Sequence, residues 1–119
     1  MPLQYLLFEM TDEDTGACSF DAMASVLADR LPALIHEVET VLGWACRDFG
    51  PPASVEENSE WDFELQAVAE PDAPLEIAYD RERATVSMPR ASGRVTLALT
   101  LTGSRAFAAA FTDAFPDPD

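Results

Sequence analysis

The sequence predicts an α+β domain of two layers, an antiparallel sheet of about five to six strands with two principal helices against it, in the order β-β-α-β-β-β-β-α. Three observations carry that prediction. Segments in the second half alternate apolar and polar residues with a period of two and are joined by connections of hairpin length, as in antiparallel sheets. Two other segments repeat apolar residues at three- and four-residue steps, which leaves one stripe per helix to bury against a sheet face. The length, 119 residues at 48% hydrophobic, is that of a single domain able to build its own core.

The apolar run Gln4 to Met10 reads as an opening strand, and Thr11 to Gly16 as a polar hairpin turn. Phe20, Ala22, Ala24 and Val26 then alternate with Asp21, Met23 and Ser25, which favours a second strand. A helix is the competitor there, because Ala and Met are good helix formers. Pro32 decides between them. Deep inside one long helix from Phe20 to Phe49 it would remove a hydrogen bond and clash with the preceding turn, whereas in a first turn it costs little. A helix is therefore expected from Leu31 to Phe49, with Leu34, Ile35, Val38, Val41, Leu42 and Ala45 on its stripe and Gly50-Pro51-Pro52 as its stop.

A loop rich in Pro and Glu follows, to Glu60. Trp61, Phe63, Leu65, Ala67 and Ala69 then alternate with Asp62, Glu64, Gln66, Val68 and Glu70, as a half-buried strand does. Beyond the break at Pro71 to Pro74, short strands are expected at Leu75 to Tyr79 and Ala84 to Met88. Arg94 to Thr102 has the cleanest alternation in the chain. Ser104 is a natural N-cap for a closing helix, Arg105 to Phe115, and residues 116–119 read as a frayed tail. With no internal repeat and no long linker, 1–119 is expected to be one domain.

Charge narrows the function. Twenty-two Asp and Glu stand against seven basic residues, all arginine, for a net charge of −15. The pI near 4.1 argues against nucleic acid and against anionic lipid, both of which need clustered Lys and Arg. Absent lysine and abundant alanine point to a GC-rich bacterial genome, a drift that does not by itself produce acidity. No apolar stretch approaches the ~20 residues of a membrane span. The start of the chain lacks the basic region of a signal peptide. A cytoplasmic protein is expected, with Cys18 and Cys46 reduced.

No catalytic set is recognisable, and an enzyme is not expected. His36, the lone histidine, has Ala33 and Thr40 at helical spacing and so no second ligand or nucleophile. Asp12, Asp14 and Gly16 echo the first half of a calcium loop, but Met23 stands where the late bidentate Glu should be. Cys46 is more than two helical turns from His36. No cofactor or metal is implied.

The remaining signal runs through Glu56, Glu57, Glu60, Asp62 and Glu64, five acids around Trp61 and Phe63. Their strand should send the acids to one face. With Glu76, Ala78, Asp80, Thr85, Ser87, Thr96 and Thr100 outward on neighbouring strands, that face would be flat, small-residued and acidic. It reads either as an ordinary solvated face or as a docking surface for a basic protein. The expected function is a non-enzymatic interaction module of immunity or inhibitor type, an analogy of composition with no motif behind it. The alternative is a small-molecule binder with a pocket between helices and sheet, and a third reading is an enzyme built on dispersed carboxylates.

Overall fold

In the computed structural model, which describes residues 3–12, 17–50, 52, 60–70, 72–90 and 93–115, the domain is α+β as the alternation predicts. Strands β1 (Glu9–Asp12) and β2 (Cys18–Leu27) lead through a single 3-10 turn, Ala28–Arg30, into helix α1 (Leu31–Phe49). Five more strands follow, β3 (Trp61–Ala69), β4 (Ala73–Leu75), β5 (Ala78–Asp80), β6 (Thr85–Ser87) and β7 (Arg94–Gly103), before helix α2 (Arg105–Ala114). The sheet has the order β1-β2-β7-β3-β4, and β5 and β6 form a separate hairpin. Every pairing is antiparallel.

The long strand β7 takes the centre because its sequence suits burial on one side only. Val95, Leu97, Leu99 and Leu101 are fully buried, whereas Thr96, Ala98, Thr100 and Thr102 face the other way and stay partly open. Its neighbours repeat the pattern, with Phe20, Ala22, Ala24 and Val26 of β2 buried and Asp21, Met23, Ser25 and Leu27 exposed. Both helices therefore cover the same face of the sheet, and the opposite face carries no layer among the described residues.

Pro32 sits in the first turn of α1, where its missing N–H is no loss, so β2 stays a strand and the helix starts at Leu31. Ser104 caps α2 by accepting from the Phe107 N–H at 3.1 Å. Aromatic rings join the layers. Trp61 stacks on Phe107 with centroids 5.8 Å apart, and its Nε1 donates to the Gly50 carbonyl at 2.9 Å. Trp44 of α1 meets Phe107, Phe111 and Phe115 edge-on or tilted. Gly103 makes room for this contact, since a Cβ there would fall 2.8 Å from that of Phe107.

Two expectations are corrected. The opening strand is Glu9–Asp12, not Gln4 to Met10. Glu37 of α1 accepts from the N–H groups of Gln4 (2.7 Å), Tyr5 (2.9 Å) and Leu6 (3.0 Å), so this stretch is held by a helix side chain and not by the sheet. Thr11 and Asp12, expected in the turn, belong to β1, while residues 13–16, like the tail 116–119, lie outside the described residues. The predicted strand Leu75 to Tyr79 is two strands. β4 pairs with the end of β3 and β5 pairs with β6 on the helix side, with the chain changing layers at Glu76-Ile77. There the Val86 N–H donates to Glu39 of α1 at 2.8 Å, and Tyr79 packs edge-on to Phe63.

Candidate functional site

The open face of the sheet is the candidate site, and its surface follows from strand register. Residues paired across antiparallel strands share a face. Glu9 pairs with Asp21, Asp21 with Thr100, and Thr100 with Glu64, so one row across four strands reads Glu9–Asp21–Thr100–Glu64. The adjacent row reads Thr11–Ser19–Thr102–Asp62, and the next runs from Met23 through Ala98 to Gln66. Small hydroxyl and methyl side chains make the middle flat, and carboxylates stand on both sides of it.

Asp62 and Glu64 lie where the alternation predicts, on the side opposite Trp61, Phe63 and Leu65. Glu60, one residue before β3, is exposed and accepts from the Ser104 hydroxyl, which ties it to the cap of α2. Glu56 and Glu57 lie outside the described residues. Of the expected neighbours, Thr96 and Thr100 share the open face. Ala78, Asp80, Thr85 and Ser87 point outward from the β5–β6 hairpin, and Glu76 lies in the crossing; none of these five joins the face, because the chain leaves the sheet after Leu75. Glu9 and Asp21 were the missed members. Their alternation with buried neighbours was visible, but only the β1–β2–β7 register brings them into line with Glu64.

These carboxylates bind what is near them and leave most of their charge unmet. Asp21 accepts from the Thr100 hydroxyl at 2.7 Å, and Asp62 accepts from the Phe63 N–H at 2.8 Å. Among the described residues the ion pairs are Asp80 with Arg83 and Glu70 with Arg94, both exposed, so none of Glu9, Asp21, Asp62 and Glu64 has an arginine partner. Met23, 71% exposed, and Leu27, 52% exposed, add apolar area to the same face.

Other chemistry-bearing residues are scattered. His36 is exposed on α1, and its carbonyl accepts from the Thr40 hydroxyl. Cys18 is buried in β2, with its thiol donating to Asp12 at 3.3 Å, and Cys46 lies on α1; neither is in a disulfide. Burial pushes the Cys46 thiol up, against the lowering effects of Arg81 and of the Tyr79 hydroxyl bond. The Tyr79 hydroxyl is raised too, first by burial and then by Cys46 and Glu39. No three His, Cys, Asp or Glu side chains come together as a metal-holding group among the described residues. No helix among them is long and apolar enough to cross a membrane.

A smaller cleft of about 530 Å³ lies between the β1–β2 edge and α2. Met10, Asp12, Cys18, Arg105, Ala108 and Thr112 line it. Comparison with known proteins returns no matching family model, no matching curated protein and no matching solved structure. The reading of the site therefore rests on its own geometry.

Proposed function

We propose that this chain is a non-enzymatic interaction module of immunity or inhibitor type, acting in the cytoplasm, and that it receives a basic protein on the open face of its sheet. One observation carries the reading: a carboxylate row, Glu9–Asp21–Thr100–Glu64, with Asp62 beside it, on a face that no layer covers among the described residues; Arg94, at one end of that face, is engaged by Glu70 and the Ser25 carbonyl and pairs with none of these acids. A predominantly acidic face steers a partner of the opposite sign, speeding association and rejecting like-charged competitors. The flat middle of Thr, Ser and Ala side chains lets a partner come close, and exposed Met23 and Leu27 supply apolar contact at the margin.

The test uses paired baits, the wild-type chain and D62R/E64R, in affinity capture from the source cell's extract. The wild type should retain proteins of high pI and the variant should lose them, while circular dichroism shows both folded. Capture of acidic or neutral proteins only, or capture unaffected by the reversal, would falsify the reading.

The cleft between the β1–β2 edge and α2 supports a second reading, a small-molecule binder. Its size is within the range of ligand pockets, and Asp12 and Arg105 give it one group of each sign. A metabolite screen by thermal shift, repeated on R105A, checks it: a stabilising ligand whose effect disappears in the variant supports this reading.

A further inference from the structure

The edge of the sheet beside the acidic face is incomplete. β7 pairs with β3 along the whole of Trp61 to Ala69, but β4 pairs only with Ala67, Val68 and Ala69. Among the described residues the stretch Phe63 to Gln66 thus has no neighbouring strand on its outer side.

Which backbone groups point outward follows from Pro74. It has no N–H, so its pair with Val68 is of the non-hydrogen-bonded kind, and the flanking pairs Ala67–Leu75 and Ala69–Ala73 exchange the bonds. Outward direction alternates along a strand, which makes Phe63 and Leu65 outward like Ala67. The even-numbered residues turn to β7, and the Glu70 N–H bond to the Arg94 carbonyl agrees with that. The outward Phe63 N–H is taken by the Asp62 carboxylate. Both backbone groups of Leu65 are without a partner among the described residues.

Beside this edge the departure of β4 opens a groove of about 890 Å³, with Leu65, Leu75, Ile77 and Met88 as its apolar wall and Gln66, Glu76 and Ser87 as polar members. An unpaired edge invites any strand, including that of a second copy. Here Asp62 and Glu64 flank it on a chain of net charge −15, so a second copy is repelled and a cationic strand is attracted.

We propose that the β3 edge at Phe63 to Gln66 takes up an extended basic segment of the partner as an added antiparallel strand. This rests on the reading of a basic partner and gives its mode of capture. Register fixes the pattern. The residue opposite Leu65 exchanges two backbone bonds with it and lays its side chain against the apolar wall of the groove. The residues on either side of it lie on the open face, where the one facing Glu64 meets a carboxylate. The segment therefore alternates Arg or Lys with an aliphatic residue.

The probe is the blocked pentapeptide Arg-Val-Arg-Val-Arg, titrated by NMR and calorimetry. It should slow hydrogen exchange of the Leu65 amide. N-methylation of both valines removes the N–H groups that face β3 and should weaken binding about tenfold or more, whereas N-methylation of the arginines, whose N–H groups face solvent, should cost no more than about twofold. Three results would overturn the proposal: equal effects of the two methylations, equal binding of a peptide with its arginines grouped, or no binding by any of them. In the first two cases with binding lost in D62R/E64R, charge alone docks the peptide and the open-face reading stands without strand addition. The paired-bait capture decides that reading separately.

Discussion

The two sides of this sheet use the same acidic residue types for different ends. On the covered side Glu37 and Glu39 reach from α1 to backbone N–H groups, Glu37 to Gln4, Tyr5 and Leu6, and Glu39 to Val86. There a carboxylate does what a strand neighbour would otherwise do: it satisfies donors of segments that the sheet leaves out. On the open side Glu9, Asp21 and Glu64 bond no backbone donor among the described residues and turn their charge to water, while Asp62 stands with them and also takes the outward N–H of Phe63. These acids thus fall into two populations, one spent mainly on the fold and one left facing water.

Truncation in the core gives the largest expected contrast. Leu99, fully buried on β7, should lose about 2–5 kcal/mol on Leu99→Ala, through lost transfer energy and the cavity left behind. Its neighbour Thr100 faces the open side, and Thr100→Ala should stay within about 1 kcal/mol, since only the bond to Asp21 is lost. Urea unfolding of both variants checks this. A loss at Thr100 as large as at Leu99 would mean that something covers the open face.

Next comes Glu37→Ala. It leaves three N–H groups without their acceptor and loosens Leu6, which is 2% exposed, so a loss of about 1.5–3 kcal/mol is expected. Hydrogen exchange at Tyr5 and Leu6 should rise in that variant before global unfolding. The same substitution at Glu64 should change stability by no more than about 0.5 kcal/mol.

Alkaline pH gives a smaller effect, again confined to the covered side. Cys46 and Tyr79 both hold their protons more tightly in the fold than in the open chain, chiefly through burial. The sign follows: their contribution is whole below the ordinary thiol and phenol range and is lost as pH rises from about 9 through the raised values. Unfolding midpoints should fall over that window, and C46A/Y79F should flatten the fall relative to its own neutral-pH value. An unchanged slope would show that other groups set alkaline stability.

Much of this contrast was legible in the sequence. Period-two alternation identified the faces of β2, β3 and β7, and Pro32 fixed the start of α1, because each is a local rule that tertiary packing reinforces. The side of Asp62 and Glu64 followed from Trp61 and Phe63 between them. What local pattern could not supply was pairing. Nothing in Gln4 to Phe8 says that its donors belong to Glu37, 31 to 33 residues away. Apolar positions at Leu75, Ile77 and Tyr79 keep a period of two straight through the crossing between layers, so one strand was expected where there are two. Glu9 and Asp21 joined the candidate site only through register, which depends on partners far along the chain.

The smallest expected effect is the sharpest test of the two populations, because it holds charge constant. D62N/E64Q and E37Q/E39Q each remove two negative charges, taking −15 to −13. If self-repulsion were the whole story, both would stabilise equally. In D62N/E64Q the Asn oxygen can still accept from Phe63 N–H, so relief of repulsion is the main change and the melting midpoint should rise slightly in low salt. In E37Q/E39Q a Gln amide turns an NH2 toward backbone donors that both oxygens of Glu37 now serve, and the midpoint should fall. Salt separates the causes. The Debye length shortens from about 30 Å at 0.01 M to about 8 Å at 0.15 M, so added NaCl should raise the wild-type midpoint and erase most of the gain in D62N/E64Q. It should leave the loss in E37Q/E39Q largely in place, since short hydrogen bonds are poorly screened. Should salt lower the wild-type midpoint instead, arginine pairing would outweigh repulsion, and the open-face acids would no longer count as unmet charge.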